Sequence, residues 1–220
     1  MNVILMSHTA DADWLCTIAG RSCYSREPMH DIEQSLDCNE WLRDKIARGH
    51  ESILEHASFT FSIEGVSRAL MAQLTRHRIA SFSIQSQRYV RMGQLDVVIP
   101  PSVKEIIDDN DGTGIMRWAW EDACSAIEKA YNIMIRTGIP AEDARYILPN
   151  AVKTNIVLTM NARSLRHFFE LRLCQQAQWE IRELAGKMLS LCLKAAPGLF
   201  QDAGPKCQDC TIDCRKPYRG

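Results

Sequence analysis

The segment Ala57-Ser58-Phe59-Thr60-Phe61-Ser62-Ile63 constrains the fold more than any other. Its apolar residues alternate strictly with hydroxyl residues, which is the period of a half-buried strand. Such a strand needs a packed layer on one side only. A polar-rich turn, His50-Glu51-Ser52-Ile53-Leu54-Glu55-His56, leads into it, and Gly65 reads as its end. Ser67 then stands where it can cap a helix whose inner side is Leu70, Met71 and Leu74.

That helix runs directly into Arg76-His77-Arg78-Ile79-Ala80-Ser81-Phe82-Ser83-Ile84-Gln85-Ser86-Gln87-Arg88-Tyr89. The basic triplet falls at or just after a helix C-terminus, where the helix dipole favours cations. Ser81 to Ser86 read as a loop or bulged extended segment. Any one of these residues alone reads as a solvated helix end or a polar loop. Arginine forks and hydroxyls at this density point to an anionic, hydrogen-bond-rich ligand such as a phosphate or a nucleotide. Spacing alone does not say which ligand.

The rest of the chain supplies a scaffold. Strands are predicted at 2–6, 97–101 and 152–160, and helices at 11–20, 36–48 and 115–136. Gly49 and Gly138 read as helix stops. Residues 22–34 and 108–114 read as loops, and 141–148 as a short helix opened by Pro140. Asn161 reads as the cap of a helical region that breaks near Cys174 and stops at Pro197-Gly198. Trp118, Trp120 and Trp179 read as core or subunit-interface residues. No linker divides the chain. The expectation is one α+β domain over 1–203, a mostly antiparallel sheet packed by long helices, with a cysteine-containing tail over 204–220.

The formal net charge of −1 argues against a nucleic-acid binder or a membrane-surface protein. No apolar run reaches the length of a membrane span, and the first residues do not read as a signal peptide. Nine cysteines, six of them scattered through apparent structured segments, suit a reduced cytoplasmic protein with mostly buried thiols. His50 and His56 lack a third ligand at metal spacing, so no metal site is expected there. The tail motif Cys207-x-x-Cys210-x-x-x-Cys214 leaves three readings open: a metal site completed elsewhere, a disulfide, or disordered thiols.

Arg76-His77-Arg78, followed after seven residues by Ser86-x-Arg88-Tyr89, resembles the signature of the flavin-dependent thymidylate synthases. Three further segments resemble that family in order: Gly49-His50-Glu51-Ser52 with Glu55-His56, Ala144-Arg145-Tyr146-Ile147-Leu148-Pro149, and Asn161-Ala162-Arg163-Ser164-Leu165 continuing to Ile181. One short match is weak evidence; four in register are strong. Ser83 stands where the family commonly has Asn, and Ile84 where an acidic residue is frequent.

The resemblance implies an FAD- and NADPH-dependent methyltransferase. It would convert dUMP to dTMP with 5,10-methylenetetrahydrofolate, as a homotetramer with active sites shared between subunits. Gln73, Arg76, Ser86, Gln87, Arg88, Arg145 and Arg172 would contact dUMP, with arginines on its phosphate and Arg172 at the uracil ring. Ser52, Glu55, Arg76, His77, Arg78, Asn161 and His167 would hold FAD, with Cys23 aligning loosely at a flavin contact. His50 would lie near the flavin ring and the folate. Arg172, Ser86 and His50 are the catalytic candidates, with Ser86 in a positioning role because nothing in the sequence supplies a base to deprotonate it. Cys174, two residues after Arg172, reads as buried structure, and Arg163 and Arg166 leave a solvated helix face open.

Overall fold

A computed structural model describes residues 1–26, 28, 31, 37–108 and 114–205. Four strands form one antiparallel sheet in the order β1-β2-β4-β3: β1 Asn2–His8, β2 Ser58–Ser67, β3 Ser81–Ile84 and β4 Lys153–Asn161. Residues 1–63, 73–83 and 157–220 form one compact unit, and residues 64–72 and 84–156 a second. The loop expected at 108–114 and the tail cysteines lie largely or wholly outside the described residues.

The first unit is built on the predicted alternation. Phe59, Phe61 and Ile63 of β2 are fully buried, while Ser58 is exposed and Thr60 and Ser62 lie half-buried. Thr60 and Thr159 pair their hydroxyls across β2 and β4 at 2.9 Å. Helices α7 Ala162–Arg172 and α8 Trp179–Ala195 add Leu165, Phe168, Phe169, Leu184 and Met188 to this core. Asn161 caps α7 by accepting the Ser164 amide at 2.8 Å. Edge-to-face rings run Phe59–Phe200–Phe169–Phe168 and end on His77, with centroids 5.0–6.0 Å apart. His77 thus leans its ring on the core.

On the same unit, α1 Ala12–Ser22 crosses α2 Cys38–Ala47 at Gly20, where Trp41 and Ile53 close over the missing side chain. Asp37 caps α2, and Gly49 at φ 84 ends that turn in the left-handed region open to glycine. The helical run ends at Ala195 before Pro197-Gly198, as expected from sequence, and Pro197 then opens a separate short helix, α9 Pro197–Phe200. The reason is remote: the Asp13 carboxylate accepts the Gly198 and Leu199 amides at 3.0 and 3.1 Å. Proline at the first helical position then loses no hydrogen bond.

In the second unit, α3 Arg68–Leu74 starts where Ser67 Oγ accepts the Leu70 amide at 3.0 Å. Gly65 does not end β2; its amide donates to Asn155 Oδ1 at 3.1 Å, so the strand continues to Ser67. The strand predicted at 97–101 is one bridge, Val97 to Val152, and Pro101 opens α4 Pro101–Asp108 instead. Helix α5 Ile115–Arg136 has the predicted limits. It pins the preceding loop through Tyr131 Oη, Glu128 and Asn132, which bond Met92, Leu95 and Gly93. The predicted helix at 141–148 is α6 Ala141–Ala144 followed by a 3-10 turn, Arg145–Ile147.

None of the six described cysteines forms a disulfide, but only Cys16 and Cys192 are buried; Cys23 is exposed and Cys174 half-exposed. The reading of Cys174 as buried is therefore corrected: it lies in the turn between α7 and α8, where its carbonyl accepts the Ala177 amide. Burial pushes the Cys16 and Cys192 thiols up to about 12, with the Asp13 charge adding to the effect at Cys16. Among the described residues no helix is long and apolar enough to cross a membrane.

Candidate active site

The first unit carries a cavity of about 1650 Å³. Three of the sequence-predicted segments line it. The 3-10 turn Glu51–His56 gives Glu51, Leu54 and Glu55; the chain leaving α3 gives Arg76, His77, Arg78 and Ile79. Asn161 and α7 give Arg163, Arg166, His167, Glu170 and Arg172. The segment after α9, Gln201 to Pro205, closes a further side and was not read from sequence.

Helix α3 ends on the His77 amide, which donates to Leu74 O at 3.1 Å, so the basic triplet leaves a helix end as expected. Arg172 Nε donates to His77 Nε2 at 3.0 Å. That bond needs an unprotonated Nε2, and the surroundings keep it so. Burial, then the Arg172 and His167 charges, hold the His77 imidazole down to about 4. Burial and the neighbouring Arg76 also lower the Arg172 guanidinium, which remains a cation.

Two of the cavity arginines are paired. Arg163 bonds Glu55 at 2.6 Å and approaches Glu51 at 3.4 Å. Arg166, 17% exposed, bonds the Leu199 carbonyl and Asp202, each at 2.7 Å. Arg76, Arg78 and Arg172 have no carboxylate partner among the described residues. Three such guanidiniums in one cavity suit an anionic ligand, and the half-polar lining suits one with a planar, partly apolar body.

The second unit holds the remaining nucleotide-side candidates. Ser86 Oγ accepts the Arg88 amide at 3.2 Å, so its partner among the described residues is a backbone donor and not a base. Gln87 is buried. Arg88 Nε pairs with the Glu142 carboxylate at 2.9 Å, while Arg145 Nε donates to the Glu142 carbonyl at 3.0 Å. Ser86, Gln87, Arg88 and Arg145 therefore gather at one place.

Other candidates lie apart from these groups. His50 and Ser52 are exposed on the turn before β2 and outside the cavity lining, and Gln73 is half-buried near the end of α3. Cys23 is exposed after α1 with its sulfur 3.8 Å from Ala19 O. Glu51, Arg163 and Arg166 join the cavity instead. Glu51 and Arg163 stood in the motifs Gly49-His50-Glu51-Ser52 and Asn161-Ala162-Arg163-Ser164, with Arg166 just after the second, but charge on a helix face reads equally as solvated surface. Among the described residues no cluster of three metal-ligating side chains occurs.

Comparison with known sequences meets this geometry. The family described as thymidylate synthase complementing protein (Thy1) matches residues 4–198. The flavin-dependent thymidylate synthase of Geobacter sulfurreducens is 47% identical over 212 residues, covering 94% of this chain and 88% of that protein. Proteins of the same name from Clostridium tetani and Pyrococcus furiosus are 43% and 47% identical, covering 94% and 80% of this chain and 88% and 70% of their own. The match extends over both compact units and all four signatures, and on it the chain belongs to the flavin-dependent thymidylate synthases.

Proposed function

We propose that this methyltransferase makes dTMP from dUMP. It takes the carbon from 5,10-methylenetetrahydrofolate and its reducing equivalents from NADPH by way of FAD. The net reaction converts dUMP, methylenetetrahydrofolate, NADPH and a proton to dTMP, tetrahydrofolate and NADP. The observation that carries the reading is the trio Arg76, Arg78 and Arg172, without carboxylate partners among the described residues, beside the neutral His77.

The cavity fits an elongated anionic cofactor, and bound FAD would supply the hydride. Arg76, His77, Arg78, Asn161 and His167 would hold it, with Glu55 and Ser52 on the turn side, Cys23 as an outer contact and His50 nearest the flavin ring and folate. Arg172 would face the uracil. Its guanidinium favours negative charge on N3 and the carbonyl oxygens, which polarises the ring for reaction at C5. His77 accepts from Nε and leaves the other guanidinium nitrogens to the substrate. Ser86, Gln87, Arg88 and Arg145 would take the nucleotide phosphate side, and Gln73 and Arg76 would complete the contacts. The working form in this reading is a homotetramer with shared sites in the cytoplasm; six described cysteines outside any disulfide suit a reducing compartment. Residues 1–203 are assigned to the synthase domain and 204–220 to a tail.

The test is a dUMP methylation assay from which methylenetetrahydrofolate, NADPH and FAD are omitted in turn. dTMP should form only in the complete mixture. FAD-loaded protein that forms none in the complete mixture overturns the reading.

A further inference from the structure

Two side-chain nitrogens of the second unit, Arg68 Nη1 and Gln87 Nε2, are buried with no hydrogen-bond partner among the described residues. Gln87 is only 7% exposed. Both atoms can only donate, and buried donors without acceptors are rare and costly in folded proteins. A third unpartnered atom, Thr154 Oγ1 on β4, lies two residues after Val152, whose carbonyl accepts the Arg68 amide.

Arg68 does not stand alone. The positive charge of Arg145 acts on it and, after burial, lowers its guanidinium further. Arg145 rests on the Glu142 carbonyl, and Arg88, next to Gln87, rests on the Glu142 carboxylate. Arg88 and Arg145 thus both meet Glu142, one at its carboxylate and one at its carbonyl, while Arg68, within the field of Arg145, keeps a buried nitrogen open. Like charges held together in this way call for a further anion. A phosphate monoester carries a charge of roughly −1.5 to −2 near neutral pH, with three acceptor oxygens.

We propose that Arg68 is a third phosphate-binding guanidinium, acting with Arg88 and Arg145 on the 5′-phosphate of the nucleotide substrate. Its place in the site makes it the residue that distinguishes dUMP from the unphosphorylated nucleoside, and Glu142 is the resident carboxylate that the phosphate displaces from Arg88. This rests on the dUMP reading above, which named Arg88 and Arg145 but not Arg68.

The test uses the FAD-loaded full-length protein and its Arg68→Met and Arg68→Lys variants, with dUMP and deoxyuridine binding measured by calorimetry. Methionine keeps the apolar stem and removes the fork. Arg68→Met should weaken dUMP about 10- to 100-fold and leave deoxyuridine and the flavin spectrum unchanged. Lysine keeps the charge without bidentate geometry and should restore part of the loss. Glu142→Gln should tighten dUMP. If Arg68→Met fails to fold, Arg68→Lys decides, with a weaker dUMP affinity supporting the assignment. Unchanged dUMP binding in a folded variant, or equal loss for dUMP and deoxyuridine, overturns it. Wild-type protein that makes dTMP while the Arg68 variants bind dUMP normally refutes this assignment alone; wild-type protein that binds no dUMP refutes the functional reading with it.

Discussion

Arg172 reaches a cationic cavity with no carboxylate among the described residues to hold it, and a neutral imidazole does that work. A carboxylate there would have neutralised the charge the substrate is meant to meet. Arg172→Ala should therefore lower turnover by about 10²-fold or more, the size seen when a charge-stabilising donor is lost. Ser86→Ala should keep substantial turnover, because its hydroxyl accepts a backbone amide and has no base beside it; an inactive Ser86→Ala that still binds dUMP would contradict this in single-turnover assays. His77 gives a pH prediction with a definite sign. Its folded value lies below the ordinary histidine value near 6.5, so the neutral ring contributes to stability above that pH. That contribution is lost as pH falls from about 6.5 to about 4, where the folded ring titrates. The melting temperature of wild-type protein should fall more steeply across this window than that of His77→Asn, whose amide does not titrate. At this scale the sequence showed Arg76, His77, Asn161 and Arg172 through their motifs. It did not show that Arg163 is spent on Glu55 and Glu51, because such pairing depends on a turn and a helix meeting 108 residues apart.

Elements were legible where their cause was local. The β2 alternation, the Asn161 and Ser67 caps and the limits of α5 all follow from neighbouring residues. α9 and the continuation of β2 past Gly65 were not legible, because Asp13 and Asn155 act from distant positions. Two stability predictions belong here. Asn161→Ala should destabilise the protein by about 1 kcal/mol through the lost cap of α7, measured by urea unfolding of FAD-free protein. Gly20→Ala would drive its methyl into the Trp41 ring and within 3.3 Å of Ile53 Cγ2, with contacts on a rigid indole. The expected cost is about 1–3 kcal/mol, measured in the same way; an unchanged melt would show that Trp41 moves freely.

For the whole molecule, the family rests on four signatures that the chain carries across two compact units, and sequence alone sufficed for that. What it could not show is which surfaces meet another copy. Helix α5 presents Ile115, Met116 and Trp118 outward, with Trp118 67% exposed. A chain of 25.0 kDa with such a face is expected to elute as a tetramer of four times that mass in light scattering, and Trp118→Glu to lower the mass. Purified protein should be yellow and bleach with NADPH under anaerobic conditions. The two buried thiols give this chain a built-in clock. Cys16 and Cys192 stay protonated at any ordinary pH, so a maleimide will leave them untouched while the exposed Cys23 reacts. Both sit in the first unit, with Cys192 on α8 beside the core and Cys16 on α1. The rate at which mass spectrometry finds them alkylated then times how often that unit opens, and ligands that seat in its cavity should slow it.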